Sequence, residues 1–276
     1  MPTLAFIGAG NMAEAIARGL LRSALYAAHD LRACDPAEQR RHLFTDELNI
    51  HATADCRQAA AGADILLLAV KPFVMAEALA QLKPAAKPDA LFISIAAGIS
   101  TTFIESALGA PPAGANAAKG PRVIRVMPNT PMLVGKGMSA LCRGRFATDA
   151  DIITAEKIFN AGGHSVRLPE SAIDAVTAVS GSGPAYVFFL AEALSAAGAA
   201  AGLPAAEAAH LARQTIIGAA ALLEESKDSP AELRRKVTTP NGTTQAAIES
   251  LQSSGFEKAL TAAVAAAAQR SKELGK

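Results

Sequence analysis

Short, almost wholly apolar runs alternate with segments of helical periodicity through the first part of the chain. Strands of a parallel sheet are covered on both faces and are joined by helices, so this alternation indicates βαβ units in a parallel sheet. The predicted elements are strands over residues 4–8, 31–34, 64–70, 91–95 and 123–126, helices over 12–23 and 37–48, and a Gly-, Pro- and Ala-rich loop over 109–121.

The sequence pattern changes after about residue 165, where a last strand is predicted over residues 165–168. Long alanine-rich stretches follow, punctuated by Gly202-Leu203-Pro204, Ser229-Pro230 and Thr239-Pro240-Asn241-Gly242, and they predict helices throughout. The fold class is therefore α/β, with a Rossmann-type parallel-sheet domain over residues 1–163 and an all-helical domain over 164–276. A helical domain this small and apolar cannot cover all its apolar faces, so we expect it to form a homodimer, with a higher oligomer left open.

Composition narrows the function classes. The 276 residues are 51% hydrophobic and 18% charged, which excludes a disordered chain. Lys and Arg number 26 against 25 Asp and Glu, and aromatics make up 4%, so neither a basic nucleic-acid face nor base stacking is expected. The N-terminus lacks the pattern of a signal peptide, and no run is long and apolar enough to predict a membrane span. The expectation is a soluble cytoplasmic protein with a small-molecule substrate.

Cysteine and histidine spacing predicts neither a disulfide framework nor a metal site. The three cysteines, Cys34, Cys56 and Cys142, are widely spaced, and we expect them to be free thiols. The five histidines form no HxxxH or HExxH pattern.

The first predicted strand runs into a glycine turn, Gly8-Ala9-Gly10-Asn11-Met12-Ala13, and then into a helix. In a GxGxxA turn of this kind the first glycine permits the tight turn and the second lets the backbone approach a pyrophosphate. The alanine keeps the helix close to the strand, and the helix start attracts the phosphate charge. Its position at the first strand-to-helix turn of an alternating domain predicts a dinucleotide site.

Asp35 follows the second strand. An acid at this position usually accepts a hydrogen bond from the ribose 2′-hydroxyl of NAD and repels the 2′-phosphate of NADP. Arg40 and Arg41 follow closely and can receive a phosphate, so the cofactor preference stays open. The alternative role for Asp35 is to cap the next helix. Lys71, in the loop after the third run, is either a ligand contact or a solvated lysine at a strand end.

Three further segments are more specific: Arg125-Val126-Met127-Pro128-Asn129-Thr130-Pro131, Val179-Ser180-Gly181-Ser182-Gly183-Pro184-Ala185-Tyr186, and Val237-Thr238-Thr239-Pro240-Asn241-Gly242-Thr243-Thr244. In this order, behind the glycine turn and residues 69–72, the chain closely resembles pyrroline-5-carboxylate reductase from residue 4 to about residue 255. The resemblance implies reduction of 1-pyrroline-5-carboxylate to L-proline by NAD(P)H, the last step of proline biosynthesis, with NADP as cofactor and NAD possible given Asp35. It also implies a helical domain that interlocks with a partner copy.

The resemblance also implies the site residues. Cofactor binding is expected at Ile7, Gly8, Ala9, Gly10, Asn11, Met12, Asp35, Ala69, Val70, Lys71, Pro72, Ile95, Ala96 and Ala97, and substrate binding at Glu170, Asn241, Gly242, Thr243 and Thr244. This chain departs from the family pattern at four positions. Asp35 stands where Ser or Asn is common, Cys56 where Asn is common, Asn241 where Gly is usual and Arg235 where Asp is common. The first departure casts doubt on a preference for NADP.

Each candidate residue has a chemical role and an alternative. The helix start at Gly242-Thr243-Thr244 suits a substrate carboxylate through its open N–H groups, with Thr243 alternatively a helix cap. Thr244, by its match to the family, is the catalytic candidate that relays a proton to the imine nitrogen. Glu170 is expected to hold the developing ammonium, or else to be a first-turn helix acid. Asn129 is expected to orient the nicotinamide carboxamide, or else to form a turn.

Two other functions compete with this reading. A β-hydroxyacid dehydrogenase shares the domain plan but uses a helix-borne lysine, and this chain has no lysine between Lys157 and Lys227. A non-catalytic dinucleotide-sensing module would not need a second, carboxylate-binding helix start. Ser180 and Ser182 have no paired His and Asp at motif spacing, which argues against a serine nucleophile.

Overall fold

The computed structural model describes residues 2–112 and 119–274. The chain forms two compact units. The first comprises the residues up to Ser182 together with those from Ala267 onward, and the second is Gly183–Ala266.

The first unit is built on one eight-stranded sheet with strand order β3-β2-β1-β4-β5-β6-β7-β8. Neighbouring strands are parallel except for β6 and β7, which are antiparallel. The strands are β1 Leu4–Ile7, β2 Leu31–Cys34, β3 His51–Thr53, β4 Ile65–Leu68, β5 Leu91–Ser94, β6 Arg122–Met127, β7 Gly137–Arg143 and β8 Gly163–Arg167.

Twelve α-helices accompany the sheet in the described part of the chain. They are α1 Asn11–Arg22, α2 Glu38–His42, α3 Cys56–Ala60, α4 Met75–Leu82, α5 Thr101–Leu108, α6 Asp149–Asn160, α7 Ile173–Val176, α8 Gly183–Ala200, α9 Ala205–Glu225, α10 Pro230–Lys236, α11 Thr243–Ser253 and α12 Phe256–Leu274.

Burial on both faces of the sheet explains the uninterrupted apolar runs. In β1, Leu4 and Phe6 belong to one buried apolar cluster, whereas Ala5 and Ile7 belong to a second. Successive side chains of a strand point to opposite faces, so each face of the sheet has its own core. The predicted Rossmann-type sheet followed by a helical domain is confirmed.

Several predicted boundaries differ from the structure. Strands β3 and β7 were not predicted; β3 is very short, and β7 mixes apolar residues with glycine, serine and arginine. The helix predicted over 37–48 is α2 followed by a π-helical turn, Leu43–Glu47. Of the loop predicted over 109–121, residues 109–112 and 119–121 are non-helical and not in strands, and 113–118 lie outside the described residues.

The domain boundary predicted at residue 163 falls too early. Strand β8 pairs with β7 and so extends the sheet to Arg167, and the first unit continues to Ser182. The end of α12 also belongs to the first unit, where the Ser271 hydroxyl donates to Asp174 Oδ1 at 2.7 Å. Chain connectivity alone does not reveal such a return from the C-terminus.

The helical unit leaves much apolar surface exposed. Helices α8 and α9 lie close together at Gly198, where an added Cβ would be only 3.1 Å from Ala208 Cβ. Phe188 and Phe189 of α8 are nevertheless 64% and 71% exposed. By length and composition alone, the helical run Glu170–Ala200 is apolar enough to cross a membrane, so the expectation that no run reaches this threshold is wrong. One such helix is weak support for a membrane span, since helices of soluble proteins pass the same test.

Candidate functional site

The carboxyl ends of four neighbouring parallel strands form the edge at which the predicted cofactor residues lie. Strands β2, β1, β4 and β5 are adjacent in the sheet, and the strand order reverses between β1 and β4. Ligands of open α/β sheets bind at this kind of switch point. The loops concerned touch each other directly, because Ala69 N–H donates to the Ile7 carbonyl and Ile95 N–H donates to the Leu68 carbonyl.

The two glycines of the turn have different requirements. Gly8 has φ +96°, and a Cβ added there would lie 2.9 Å from the Ala69 carbonyl oxygen, so the fold itself demands glycine. Gly10 has φ −70°, which any residue adopts, and an added Cβ would meet nothing within 4 Å among the described residues. Packing therefore does not explain Gly10, whereas a ligand lying against it would.

Helix α1 begins at this turn and leaves its first N–H groups open. Gly10 is its N-cap, and the first helical hydrogen bond runs from Glu14 N–H to the Gly10 carbonyl. Ala13 is buried and lets the helix lie close to the sheet. The residues present thus fit a dinucleotide pyrophosphate, which would accept hydrogen bonds from the open N–H groups and be favoured by the helix dipole.

Asp35 lies beside the glycine turn. Its Oδ2 accepts from Ala9 N–H at 2.8 Å and its Oδ1 accepts from Ala37 N–H at 2.9 Å. The carboxylate therefore holds the turn and the residue before α2 together. Ala37 is the N-cap of α2 and no side chain caps the helix, so the alternative that Asp35 is its cap is wrong. Each oxygen keeps a second lone pair, so the carboxylate can still accept a ribose hydroxyl.

The two arginines considered for a 2′-phosphate have other partners. Arg40 Nε donates to the Ala9 carbonyl at 2.5 Å, and its Nη2 pairs with Glu14 at 2.9 Å. Burial acts to raise the pKa of Glu14, but hydrogen bonds from Arg18 and Arg40 outweigh it, and the pKa is lowered. Arg41 donates to the backbone carbonyls of Asp35 and Pro36. The charge of Arg40 is therefore offset by Glu14, whereas Arg41 is held by backbone carbonyls and pairs with no acid among these contacts.

The expectation of three free thiols is wrong for two cysteines. Cys34, the last residue of β2, is disulfide-bonded to Cys56, the first residue of α3, with a Cα–Cα distance of 5.1 Å. Carboxyl ends of adjacent parallel strands meet at one edge, and β3 ends just before α3. Because no apolar run predicts β3, this placement is visible only in the structure. Cys142 is free and buried, and burial, followed by the nearby Glu170 charge, raises its pKa to about 12.

The loops after β4 and β5 carry small or uncharged side chains apart from Lys71. Ala96 is buried and Ala97 half-buried, and Ala96 N–H donates to the buried Ser94 hydroxyl. Lys71 is exposed. The ligand contact predicted for Lys71, and for its neighbours Val70 and Pro72, stays a prediction.

Asn129 follows the carboxyl end of β6, but its side chain is engaged within the protein. Its Nδ2 donates to the Ser180 carbonyl at 3.1 Å and to the Ser180 hydroxyl at 3.3 Å. Its Oδ1 accepts from Met138 N–H at 2.8 Å. Since the residue is only 9% exposed, the geometry favours a structural role that holds β7 and the segment around Ser180. Orientation of a nicotinamide carboxamide stays a prediction without geometric support.

Glu170 belongs to a polar network that the sequence did not predict. Its carboxylate accepts from the Thr101 N–H at 2.8 Å and from the Thr101 hydroxyl at 2.7 Å, and it pairs with Arg125 at 3.0 Å. Arg125 is buried and Thr101 begins α5. The residue that could have pointed to this network is Arg125, the first residue of the segment 125–131 that carries the family resemblance. The network orients the carboxylate, and the predicted contact with substrate nitrogen stays a prediction.

The second predicted helix start lies in the helical unit. Gly242 is the N-cap of α11, so the alternative that Thr243 caps the helix is wrong. Asn241 has φ +59°, and its N–H donates to Gln245 Oε1 at 2.8 Å. Asn is the non-glycine residue that best tolerates this conformation, which explains how it replaces the usual glycine.

The N–H groups at the start of α11 are available to an anion. The first helical bond runs from Ala246 N–H to the Gly242 carbonyl, so the three preceding N–H groups point out of the helix end. Thr244 is half-buried and Thr243 exposed. Such a start can bind a carboxylate, with the threonine hydroxyls as further donors.

A largely parallel sheet with a glycine turn at its switch point, followed in sequence by a helical unit, is the plan of the dinucleotide-dependent oxidoreductases. Comparison with known proteins narrows this class. A family model described as pyrroline-5-carboxylate reductase dimerisation matches residues 170–274, and one described as NADP oxidoreductase, coenzyme F420-dependent, matches residues 3–98.

The chain is 44% identical to the pyrroline-5-carboxylate reductase of Pseudomonas aeruginosa, over 99% of this chain and 97% of that protein. The similar solved structures include two reductases from other organisms. The pyrroline-5-carboxylate reductase of Coxiella burnetii has a TM-score of 0.91 at 36% identity, covering 100% of this chain and 99% of that one. The Plasmodium falciparum pyrroline carboxylate reductase with NADP bound has a TM-score of 0.84 at 29% identity, covering 100% and 98%. This chain belongs to the pyrroline-5-carboxylate reductase family, which confirms the resemblance drawn from its motifs.

Proposed function

We propose that the protein reduces 1-pyrroline-5-carboxylate to L-proline with NAD(P)H, the last step of proline biosynthesis. The observation that carries this proposal is Gly10, an open backbone position at the start of α1 that no contact with residues 2–112 or 119–274 requires. In a chain that matches pyrroline-5-carboxylate reductases over nearly its whole length, a dinucleotide pyrophosphate is the ligand that explains it. The β-hydroxyacid dehydrogenase and sensing-module alternatives have no comparable support.

The donor is NAD(P)H, and we infer that Asp35 shifts the preference from NADPH toward NADH. Its carboxylate, anchored on Ala9 N–H, would accept the ribose hydroxyl and repel a 2′-phosphate. Arg40 is already paired with Glu14, so it offers a phosphate little net charge. This leaves Arg41 as the cation beside Asp35 that can offset the repulsion in part.

The reduced nicotinamide, when bound, supplies the hydride that attacks the imine carbon. The protein must hold the substrate carboxylate and manage a proton at the imine nitrogen. The open N–H groups at the start of α11, with Asn241, Gly242 and Thr243, would hold the carboxylate. Thr244 would relay a proton from water to the nitrogen, because a threonine hydroxyl is too weak an acid to supply it alone. Glu170 would stabilise the resulting ammonium.

The helical unit would form a homodimer, with a higher oligomer as an extension. The match to a dimerisation family model over residues 170–274 and the exposed Phe188 and Phe189 support this assembly. A second copy would cover these apolar side chains and remove them from water. Light scattering at micromolar concentration should give at least twice the mass of the chain. We also propose a cytoplasmic location, where reduced dinucleotides are available.

The activity is tested by following NAD(P)H absorbance with purified protein. Absorbance should fall only when 1-pyrroline-5-carboxylate is added, and L-proline should accumulate in equal amount. A β-hydroxyacid with oxidised cofactor serves as the comparison for the dehydrogenase alternative. Dinucleotide binding without turnover of either substrate would favour the sensing module and overturn the proposal.

A further inference from the structure

The Cys34–Cys56 disulfide lies at the end of the sheet where the glycine turn is. The Cys34 carbonyl accepts the Gly8 N–H at 2.9 Å, so this cysteine is hydrogen-bonded to the first glycine of the turn. The next residue, Asp35, accepts the Ala9 N–H. The disulfide is therefore one residue from the carboxylate proposed to receive the ribose.

The other end of the disulfide begins a short helix. Cys56 is the first residue of α3, which has five residues and is capped by the Asp55 carboxylate through Arg57 N–H at 2.9 Å. A helix this short has little stability of its own and depends on its attachments. The disulfide attaches the first turn of α3 covalently to the end of β2. Strand β3, which leads into α3, pairs with β2.

The two sulfurs differ in access. Cys34 is completely buried within the apolar cluster on one face of the sheet. Cys56 is half-buried and lines an open surface groove with Ala54, Asp55 and Arg57. Cys56 is therefore the end of the disulfide at which an external thiol would approach, whereas Cys34 is shielded. This asymmetry suits thiol–disulfide exchange, which depends on which sulfur can be attacked.

We propose that Cys34–Cys56 is a reversible thiol–disulfide site that sets the affinity for the dinucleotide, an inference that rests on the proposed function. The bonded form holds the Asp35 loop and the first turn of α3 in one arrangement and so preorganises the ribose end. Reduction frees α3 from β2, and binding must then restore that order at a cost in affinity.

The exchange uses a small thiol or dithiol as the reductant. Its thiolate attacks Cys56 Sγ, the bond between the two sulfurs breaks, and the electron pair leaves on Cys34 Sγ, which takes up a proton. A second thiol attacks the mixed disulfide, forms the external disulfide and releases Cys56 as a thiol. The protein disulfide gains two electrons, and two external thiols lose them. Disulfides in reducing compartments are usually of this transient kind.

The bond itself is tested by counting thiols in the full chain, independently of activity. The protein is treated with glutathione disulfide, denatured without reductant and titrated with a chromogenic aromatic disulfide. One thiol, Cys142, should react out of the three cysteines in the sequence. After dithiothreitol and desalting, all three should react. Three reactive thiols in the oxidised sample would overturn the proposal.

The functional effect is tested on the same two samples. Reduction should raise KM and the dissociation constant for NADH by about 3- to 10-fold and leave kcat within about 2-fold, because order at the ribose end affects binding rather than hydride transfer. Cys56→Ser should behave like the reduced protein in both treatments. Cys142→Ala, the matched control, should keep the response and lose the last reactive thiol.

Two results distinguish the possible failures. A bond that forms and raises Tm without changing KM or the dissociation constant is structural only, and it overturns the proposal. Because NADH binding is followed by fluorescence, absence of turnover with 1-pyrroline-5-carboxylate in both samples would count against the proposed function alone.

Discussion

The two glycines of the turn allow a sharp test, because one is required by the fold and the other by the ligand. In Gly10→Ala the new Cβ meets nothing within 4 Å of the described protein atoms, and φ is −70°. Alanine restricts the unfolded chain but is a poorer N-cap than glycine, so we expect a net change in the free energy of unfolding within about 1 kcal/mol. The added methyl would lie where the pyrophosphate approaches, and affinity should fall by about 10- to 100-fold, or about 1.4–2.8 kcal/mol.

Gly8→Ala is the matched comparison. The residue has φ +96°, and its Cβ would lie 2.9 Å from the Ala69 carbonyl oxygen. Left-handed strain and overpacking together should lower the free energy of unfolding by about 2–5 kcal/mol. Both variants are measured by thermal unfolding at one protein concentration and by NADH fluorescence titration, which separates folding from binding.

The two variants should show opposite patterns of stability and binding. Gly10→Ala should unfold like the wild type and bind poorly, whereas Gly8→Ala should lose stability first. If Gly10→Ala binds NADH and NADPH with wild-type affinity, the pyrophosphate does not lie against this residue and the site assignment is wrong.

Three further changes test other parts of the molecule. Asp35→Ser should raise the kcat/KM ratio of NADPH to NADH by about tenfold or more because it removes a charge beside the 2′-phosphate, whereas Glu38→Gln, which removes an exposed acid of α2, should leave the ratio unchanged. Thr244→Ala should lower kcat by about tenfold without abolishing it, and a loss of several orders of magnitude would identify an obligatory proton donor. Burial raises the pKa of Glu105, a buried residue of α5. The protonated carboxyl therefore stabilises the folded state at low pH, and this stabilisation is lost as pH rises through the raised pKa. Glu105→Gln can still accept the Arg145 N–H and should therefore gain Tm over the wild type as pH rises from about 4 to about 8; a gap independent of pH would contradict this.

Local patterns in the sequence carried much of the fold. Apolar runs covered on both faces identified β1, β2, β4, β5 and β6 close to their observed bounds, because burial on two faces leaves few polar positions in a strand. The short β3 and the mixed apolar and polar sequence of β7 have no such pattern, and both strands were missed. The predicted boundary at residue 163 failed because strand pairing between β7 and β8 joins segments that the local pattern separates.

For the candidate site, the sequence determined the glycine turn, the helix start at Gly242 and the family. These depend on backbone conformation and residue order, which short motifs encode. The tertiary structure alone decided that Cys34 bonds Cys56, that Asp35 fixes the turn through Ala9, and that Glu170 is held by Arg125. In each case the two residues lie more than twenty positions apart in the sequence. The packing of strands and helices brings them into contact, and no local sequence pattern encodes that packing.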